Sequence, residues 1–206
     1  MLELIIFTPL LGAFCLLFVN KDDNVLIRNV AFWFSLFTFF FSVILWLSFD
    51  QLSPKFQFVT DINWLSLFNI KFYLGIDSVS LLFIVLTTFI FSLCILSSWS
   101  NIKVHFKEYM ITFLVMESLL LLIFSLLDLL LFYVFFESIL IPMFLIVGVW
   151  GSRARKIRAS YMLFFYTLFG SVFMLLAILV LYFDVGTTDY QFLLVSEISP
   201  FKQKLL

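Results

Sequence analysis

Two acids, Glu137 and Glu117, stand where an ionisable group is least at home. Residues 128–151, DLLLFYVFFESILIPMFLIVGVWG, carry Glu137 near their middle, and about twenty apolar residues in a row read as a membrane-spanning helix. A carboxyl at the centre of such a helix costs a few kcal/mol or more, so it needs a partner, a wet cavity or a retained proton. Pro142 has no N–H, which leaves the carbonyl of Ser138 without its helical donor one residue from the acid. Kinked backbone, a free acceptor and an acid therefore coincide at one depth, where polar groups demand internal satisfaction or water. Two readings stand open. In one, the kink is a packing device and Glu137 bonds to a neighbouring helix; in the other, it is an intramembrane proton site. The second is favoured, because few structural roles require a carboxyl in place of Ser or Asn.

Glu117 repeats the pattern in the preceding apolar run. It lies about eight residues from one end of its span and Glu137 about nine from the opposite end of the next, which at ~1.5 Å per residue puts each ~12–14 Å deep. That is close to the midplane of a core ~30 Å thick. With a tight turn between the two spans, the acids match in depth and are expected to share a polar layer. A proton-transfer acid must also be able to lose its proton, usually beside a cation. Every Lys, Arg and His here falls in a loop, a helix end or the tail. The cation for Glu137 must then come from another polypeptide, or water must stand in.

The elements that position these acids follow from composition. Hydrophobic residues make up 64% and charged residues 12%, against roughly 45–50% and 25% in soluble domains. The chain is an all-α integral membrane protein, read as one membrane domain over 1–206. Its net charge of −1 gives nucleic acid no evident footing. Six spans are expected at about 2–19, 26–49, 76–99, 110–127, 129–150 and 157–183, with a surface tail at 184–206. Between the second and third, FQFV and IKFYLG alternate around a central bend and predict a β-hairpin. No Gly or Pro separates the fourth and fifth spans, so the turn is placed at Asp128, with its charge at the membrane interface. The tail keeps apolar residues and reads as an amphipathic surface segment. The amino terminus lacks a basic region and a cleavage site, and is read as a retained span.

Six crossings place Lys21, Arg28, Lys103, Lys107, Arg153, Arg155, Lys156 and Arg158 on one face, and Lys55, Lys71, Lys202 and Lys204 on the other. The richer face is expected to be cytoplasmic, or matrix-facing in a mitochondrion. The run Arg153, Arg155, Lys156, Arg158 also suits an anionic lipid headgroup such as that of cardiolipin, although the orientation rule alone accounts for it. Tyr133, one turn before Glu137, is either a hydrogen-bond partner or aromatic packing. His105 is a lone loop histidine, and Cys15 and Cys94 lie in apolar runs as packing residues. Gly148, Gly151 and Gly170 permit close helix contacts. The 31 phenylalanines suggest codon bias in an AT-rich organelle genome.

DLLLFYVFFESILIPMFLIVGVWGSRARKIRASY, followed by LFGSVFMLLAIL and DVGTTDYQFLL, closely resembles the antiporter-like membrane-arm subunits of mitochondrial NADH–ubiquinone oxidoreductase, respiratory complex I. FYLGIDSVSLLF and the EYM…ME pair at 108–117 fit the same family, and the likeness runs from about 55 to 195. It implies a proton-translocating, non-redox subunit of the reductase in the mitochondrial inner membrane, pumping through a central hydrated axis. NADH, flavin, iron–sulfur clusters and quinone would sit on other subunits, and no metal or cofactor is expected in this chain. By the same resemblance the family's glutamates on helices five and four match Glu137 and Glu117, the second a possible secondary proton site. Family members typically have about fourteen spans in inverted repeats, with the lysine partner beyond the sixth. Because the sequence stops at Leu206, it is expected to be the amino-terminal part of a split subunit. A separate chain would carry the remainder, beside the other membrane-arm subunits and phospholipid. The alternatives are a subunit of a multi-subunit cation/proton antiporter and a structural membrane scaffold that no longer pumps.

Overall fold

The computed structural model of the chain describes residues 1–50, 52, 53, 55–65, 70–99, 102, 104–152 and 154–196, and at 62–65, 70 and 71 the backbone alone. Helix α1 (Leu2–Phe18) and α2 (Asn24–Leu47) are followed by a two-stranded antiparallel hairpin, β1 (Gln57–Leu65) and β2 (Ile70–Ile76). Then come α3 (Ser78–Ser98), α4 (Phe106–Ser125), α5 (Leu129–Trp150), α6 (Lys156–Val185) and the short α7 (Tyr190–Val195). Among the described residues, α2 to α6 are each long and apolar enough to cross a membrane. α1 has 17 residues, which at ~1.5 Å each gives ~25 Å, somewhat short of a ~30 Å core. At 30 residues, α6 is long for one crossing and must tilt or project beyond the core.

The connections gather at two ends, as successive crossings require. At one end Lys107 Nζ donates to the carbonyls of Leu17 (2.9 Å) and Val19 (2.7 Å), covering the open carboxyl end of α1. Lys21 pairs with Glu108 at 3.0 Å, and Arg28 reaches the Trp99 carbonyl and lies over its ring. At the other end, backbone strands the hairpin, the α4–α5 turn and the segment before α7 together. Leu127 N–H donates to the Tyr73 carbonyl, Leu129 N–H to that of Thr188, and Tyr190 N–H to that of Leu127. Open carbonyls and N–H groups at helix ends are thereby met by neighbouring loops.

Expectation and structure differ at one helix end, and the structure adds contacts that the sequence did not show. Residues 106–109, read as loop, form the first turn of α4, because Phe106 and Tyr109 are buried in an apolar cluster with Met110 and Leu114. Asp128 does mark the turn, but its side chain is 3% exposed. It accepts the N–H groups of Leu130 and Leu131 as the amino-terminal cap of α5, and the Thr188 hydroxyl at 2.6 Å. Of the foreseen glycines, Gly151 is the tightest, since a Cβ there would meet the Val147 carbonyl oxygen and, at 2.9 Å, the Lys156 Cβ, and the structure adds two that were not foreseen. A Cβ at Gly12 would meet the Phe34 Cβ at 2.7 Å, and one at Gly75 the Leu127 Cδ1 at 2.6 Å, whereas one at Gly170 would meet nothing within 4 Å. Gly148 does face Ser160 across the α5–α6 contact.

Two apolar clusters hold the bundle. Leu2, Ile5, Leu45, Leu74, Ile84 and Leu121 anchor the hairpin end. Ala13, Leu16, Ile27, Ala31, Ile95 and Leu114 anchor the end near Lys107. Along α2, α3 and α4 the stretch between the clusters carries buried polar side chains: Ser35, Thr38 and Ser42, then Thr88 and Ser92, then Glu117 and Ser118.

Candidate functional site

Glu137 lies on α5, which runs unbroken through the buried Pro142. A helix survives a proline when neighbouring groups take over the freed carbonyl. Here the apolar run is long enough for the second half of the helix to continue. The Glu137 carboxyl is half-buried, and its Oε1 is hydrogen-bonded to the hydroxyl of Ser171 on α6. Ser171 is itself 3% exposed and also lies 2.9 Å from the Leu168 carbonyl.

That arrangement has a chemical consequence. The hydroxyl owns a single hydrogen but several acceptor sites. When Glu137 is ionised, Ser171 donates to it. When Glu137 carries a proton, the acid donates to Ser171, and Ser171 turns its hydrogen to the Leu168 carbonyl. Both charge states are accommodated by rotation about one bond, with no heavy atom displaced. A proton site needs that tolerance; a purely structural hydrogen bond does not.

Glu117 is placed differently. It is completely buried. Ser35 of α2 lies beside it, but neither carboxyl oxygen closes a hydrogen bond in ordinary geometry among the described residues. The two acids have polar neighbours on different helices, α2 for Glu117 and α6 for Glu137, and no hydrogen bond among the described residues joins them. Nor does any described Lys, Arg or His pair with either acid; the ion pairs found lie among Lys21, His105 and Glu108.

The other candidates are quickly placed. Arg153 lies outside the described residues. Arg155 and Arg158 are exposed, whereas Lys156 Nζ donates to the Val149 carbonyl at 2.6 Å and so caps the end of α5. Tyr133 is half-buried, and the hydrogen bond that Glu137 receives comes from Ser171. The signal missed in the sequence is the hydroxyl face of α2, Ser35, Thr38 and Ser42 at helical spacing, matched by Thr88 and Ser92 on α3. Spacing of three, four and seven would have exposed it.

A membrane bundle with an acid at mid-helix on α5, another on α4 and a hairpin packed over one end is an all-α, antiporter-like architecture. Residues 125–199 match the family described as NADH:quinone oxidoreductase/Mrp antiporter, transmembrane. More particularly, the chain is homologous to NADH-ubiquinone oxidoreductase chain 4. It is 54% identical over 202 residues to that protein of Arabidopsis thaliana, covering 98% of this chain and 41% of the relative. With the Marchantia polymorpha protein it shares 53% over 202 residues, again 98% and 41%. The chain thus spans about two fifths of the length of the curated relatives it matches. Among solved structures it superposes on a chain of respiratory complex I from Thermus thermophilus with a TM-score of 0.81 and 26% identity, covering 97% of this chain and 40% of that one. A chain of an archaeal membrane-bound sulfane sulfur reductase shares the fold at a TM-score of 0.74 and 18% identity, over 91% of this chain and 28% of that one.

Proposed function

We propose that this chain forms part of an antiporter-like proton channel in the membrane arm of a NADH:ubiquinone oxidoreductase, as a non-redox subunit in the mitochondrial inner membrane. The observation that carries the reading is Glu137 hydrogen-bonded to Ser171 inside two membrane-length helices, α5 and α6, both within the segment matching the family. Glu137 takes and releases the proton, Ser171 steadies it in either state, and Glu117 serves as a secondary proton site. The cation that eases release comes from outside these 206 residues, on a partner of the membrane arm or on the portion of the relatives' length that this sequence does not span. The basic ends, with Arg155 and Arg158 exposed, face the matrix and meet anionic phospholipid such as cardiolipin.

The test is Glu137→Gln in the assembled complex. Gln keeps shape and hydrogen bonding but cannot carry a proton, so NADH-driven proton translocation should fall about a hundredfold or more, the lower end for loss of a positioned acid–base group. Unchanged translocation with normal assembly would leave a structural scaffold as the better account. Because the family description joins the quinone oxidoreductases to the Mrp antiporters, a second reading is a subunit of a cation/proton antiporter. Sodium-dependent proton exchange in membranes lacking NADH would select that reading.

A further inference from the structure

A different part of the bundle has a polar interior that the Glu137 site does not use. Across α2, α3 and α4, one layer of buried polar side chains lies between the two apolar clusters. It contains Ser35, Thr38 and Ser42 at 0% exposure, Thr88 at 0% and Ser92 at 6%, with Glu117 at 0%. Two rungs tie α2 to α3: Ser35 Oγ to Ser92 Oγ at 3.0 Å, and Ser42 Oγ to Thr88 Oγ1 at 2.9 Å.

Packing accounts for the hydroxyls, since small polar residues let membrane helices approach and bond. It does not account for Glu117. Among the described residues neither of its buried oxygens has a hydrogen-bond partner, while Ser35 lies beside it. Buried polar groups left open in this way commonly hold internal water when the surroundings are polar. An ionised carboxylate would meet no cation among the described residues, a costly state in the interior. A neutral acid needs only one acceptor for its O–H, and the hydrogen count of the layer leaves one. Ser92 donates to the Thr88 carbonyl at 2.9 Å; Ser35 then donates to Ser92 Oγ and has a lone pair to spare for Glu117 or for a water beside it.

We propose that Glu117, with Ser35 and Ser92 and the adjoining hydroxyls Thr38, Ser42 and Thr88, forms a second internal site that binds water and holds an exchangeable proton. The inference deepens the reading of Glu117 as a proton site by giving its ligand and its surroundings. It depends neither on Glu137 nor on which complex contains the chain. In exchange the carboxyl O–H breaks and its hydrogen passes to the bound water, while one O–H of that water breaks and its hydrogen passes to the carboxyl, so no net charge is created in the layer.

The experiment is infrared spectroscopy of the assembled membrane complex, reading the carbonyl stretch of protonated carboxyl groups on transfer from H2O to D2O. Wild-type protein should show a component that Glu117→Gln removes, that Glu137→Gln leaves in place, and that shifts within minutes in D2O. Ser35→Ala should slow that shift and move the band, through loss of the hydroxyl that lies beside the acid. Ser92→Ala should do so more weakly, which also guards against a folding defect confined to one variant. Absence of any component sensitive to Glu117→Gln would overturn the proposal, because the acid would then be ionised. A component that persists unshifted for hours in D2O would overturn it too, since the layer would be dry. Loss of proton translocation in Glu137→Gln with the Glu117 component intact would separate the two sites; unchanged translocation with that component intact would leave this site standing without the pump.

Discussion

Glu137 and Glu117 are chemically identical, and their surroundings differ. Glu137 is half-buried beside the Ser171 hydroxyl; Glu117 is fully buried, and neither of its oxygens is hydrogen-bonded among the described residues. If Ser171 steadies the ionised form of Glu137, Ser171→Ala removes a hydrogen bond to a charged group, worth about 1.5 kcal/mol or more. Proton translocation by the assembled complex should fall several-fold, while Ser171→Thr, which keeps the hydroxyl, restores most of it. Comparing initial translocation rates of the two variants at equal complex content checks this. Glu137 was legible from sequence because one acid in an apolar run stands out by its cost. Its partner was not. Which residue of α6 faces it depends on the rotation of two helices that are apolar nearly all round, and a sequence without a polar face does not encode that angle.

Elements are secured chiefly at their ends. Asp128 caps α5 and receives the Thr188 hydroxyl, so one side chain fastens the α4–α5 turn to the segment before α7. Asp128→Ala should lower stability in detergent by about 1–3 kcal/mol, the sum of a lost cap and a stranded hydroxyl. Asp128→Asn, whose Oδ1 still caps while its Nδ2 donates to the Thr188 hydroxyl as acceptor, should lose less; thermal unfolding midpoints distinguish them. Gly12 works by another means. Its missing side chain lets α1 approach Phe34 of α2, so Gly12→Val should force the helices apart and cost about 1–3 kcal/mol, as overpacking typically does. The helices and the hairpin were readable from run length and alternation, although the first turn of α4 was not. Asp128 shows where that legibility stopped: the turn could be read, but not that capping and a distant Thr188 would bury the side chain within the protein. Gly12 was likewise silent, since close approach is a property of pairs of helices.

At the scale of the molecule, burial is uneven. In the membrane-length window of α4, 44% of residues are buried, against 17% for α5 and 11% for α6. The helices that carry Glu137 and Ser171 are therefore the least enclosed part of the bundle, and large apolar side chains such as Ile141, Phe165, Phe169 and Phe173 are exposed on them. No described cation pairs with Glu137, and ionising an unpaired acid in a membrane is costly. Among the described residues this half-buried acid on an open face has no cation beside it to drive release of a proton. Reconstituted alone into liposomes, the 206-residue chain should not dissipate a pH gradient faster than protein-free vesicles, as read by an entrapped pH-sensitive dye. Vesicles containing the assembled complex should move protons when supplied with NADH and quinone. Conduction by the lone chain that Glu137→Gln abolishes would show instead that water by itself serves in place of the cation, and the face of α5 and α6 would then need no protein against it.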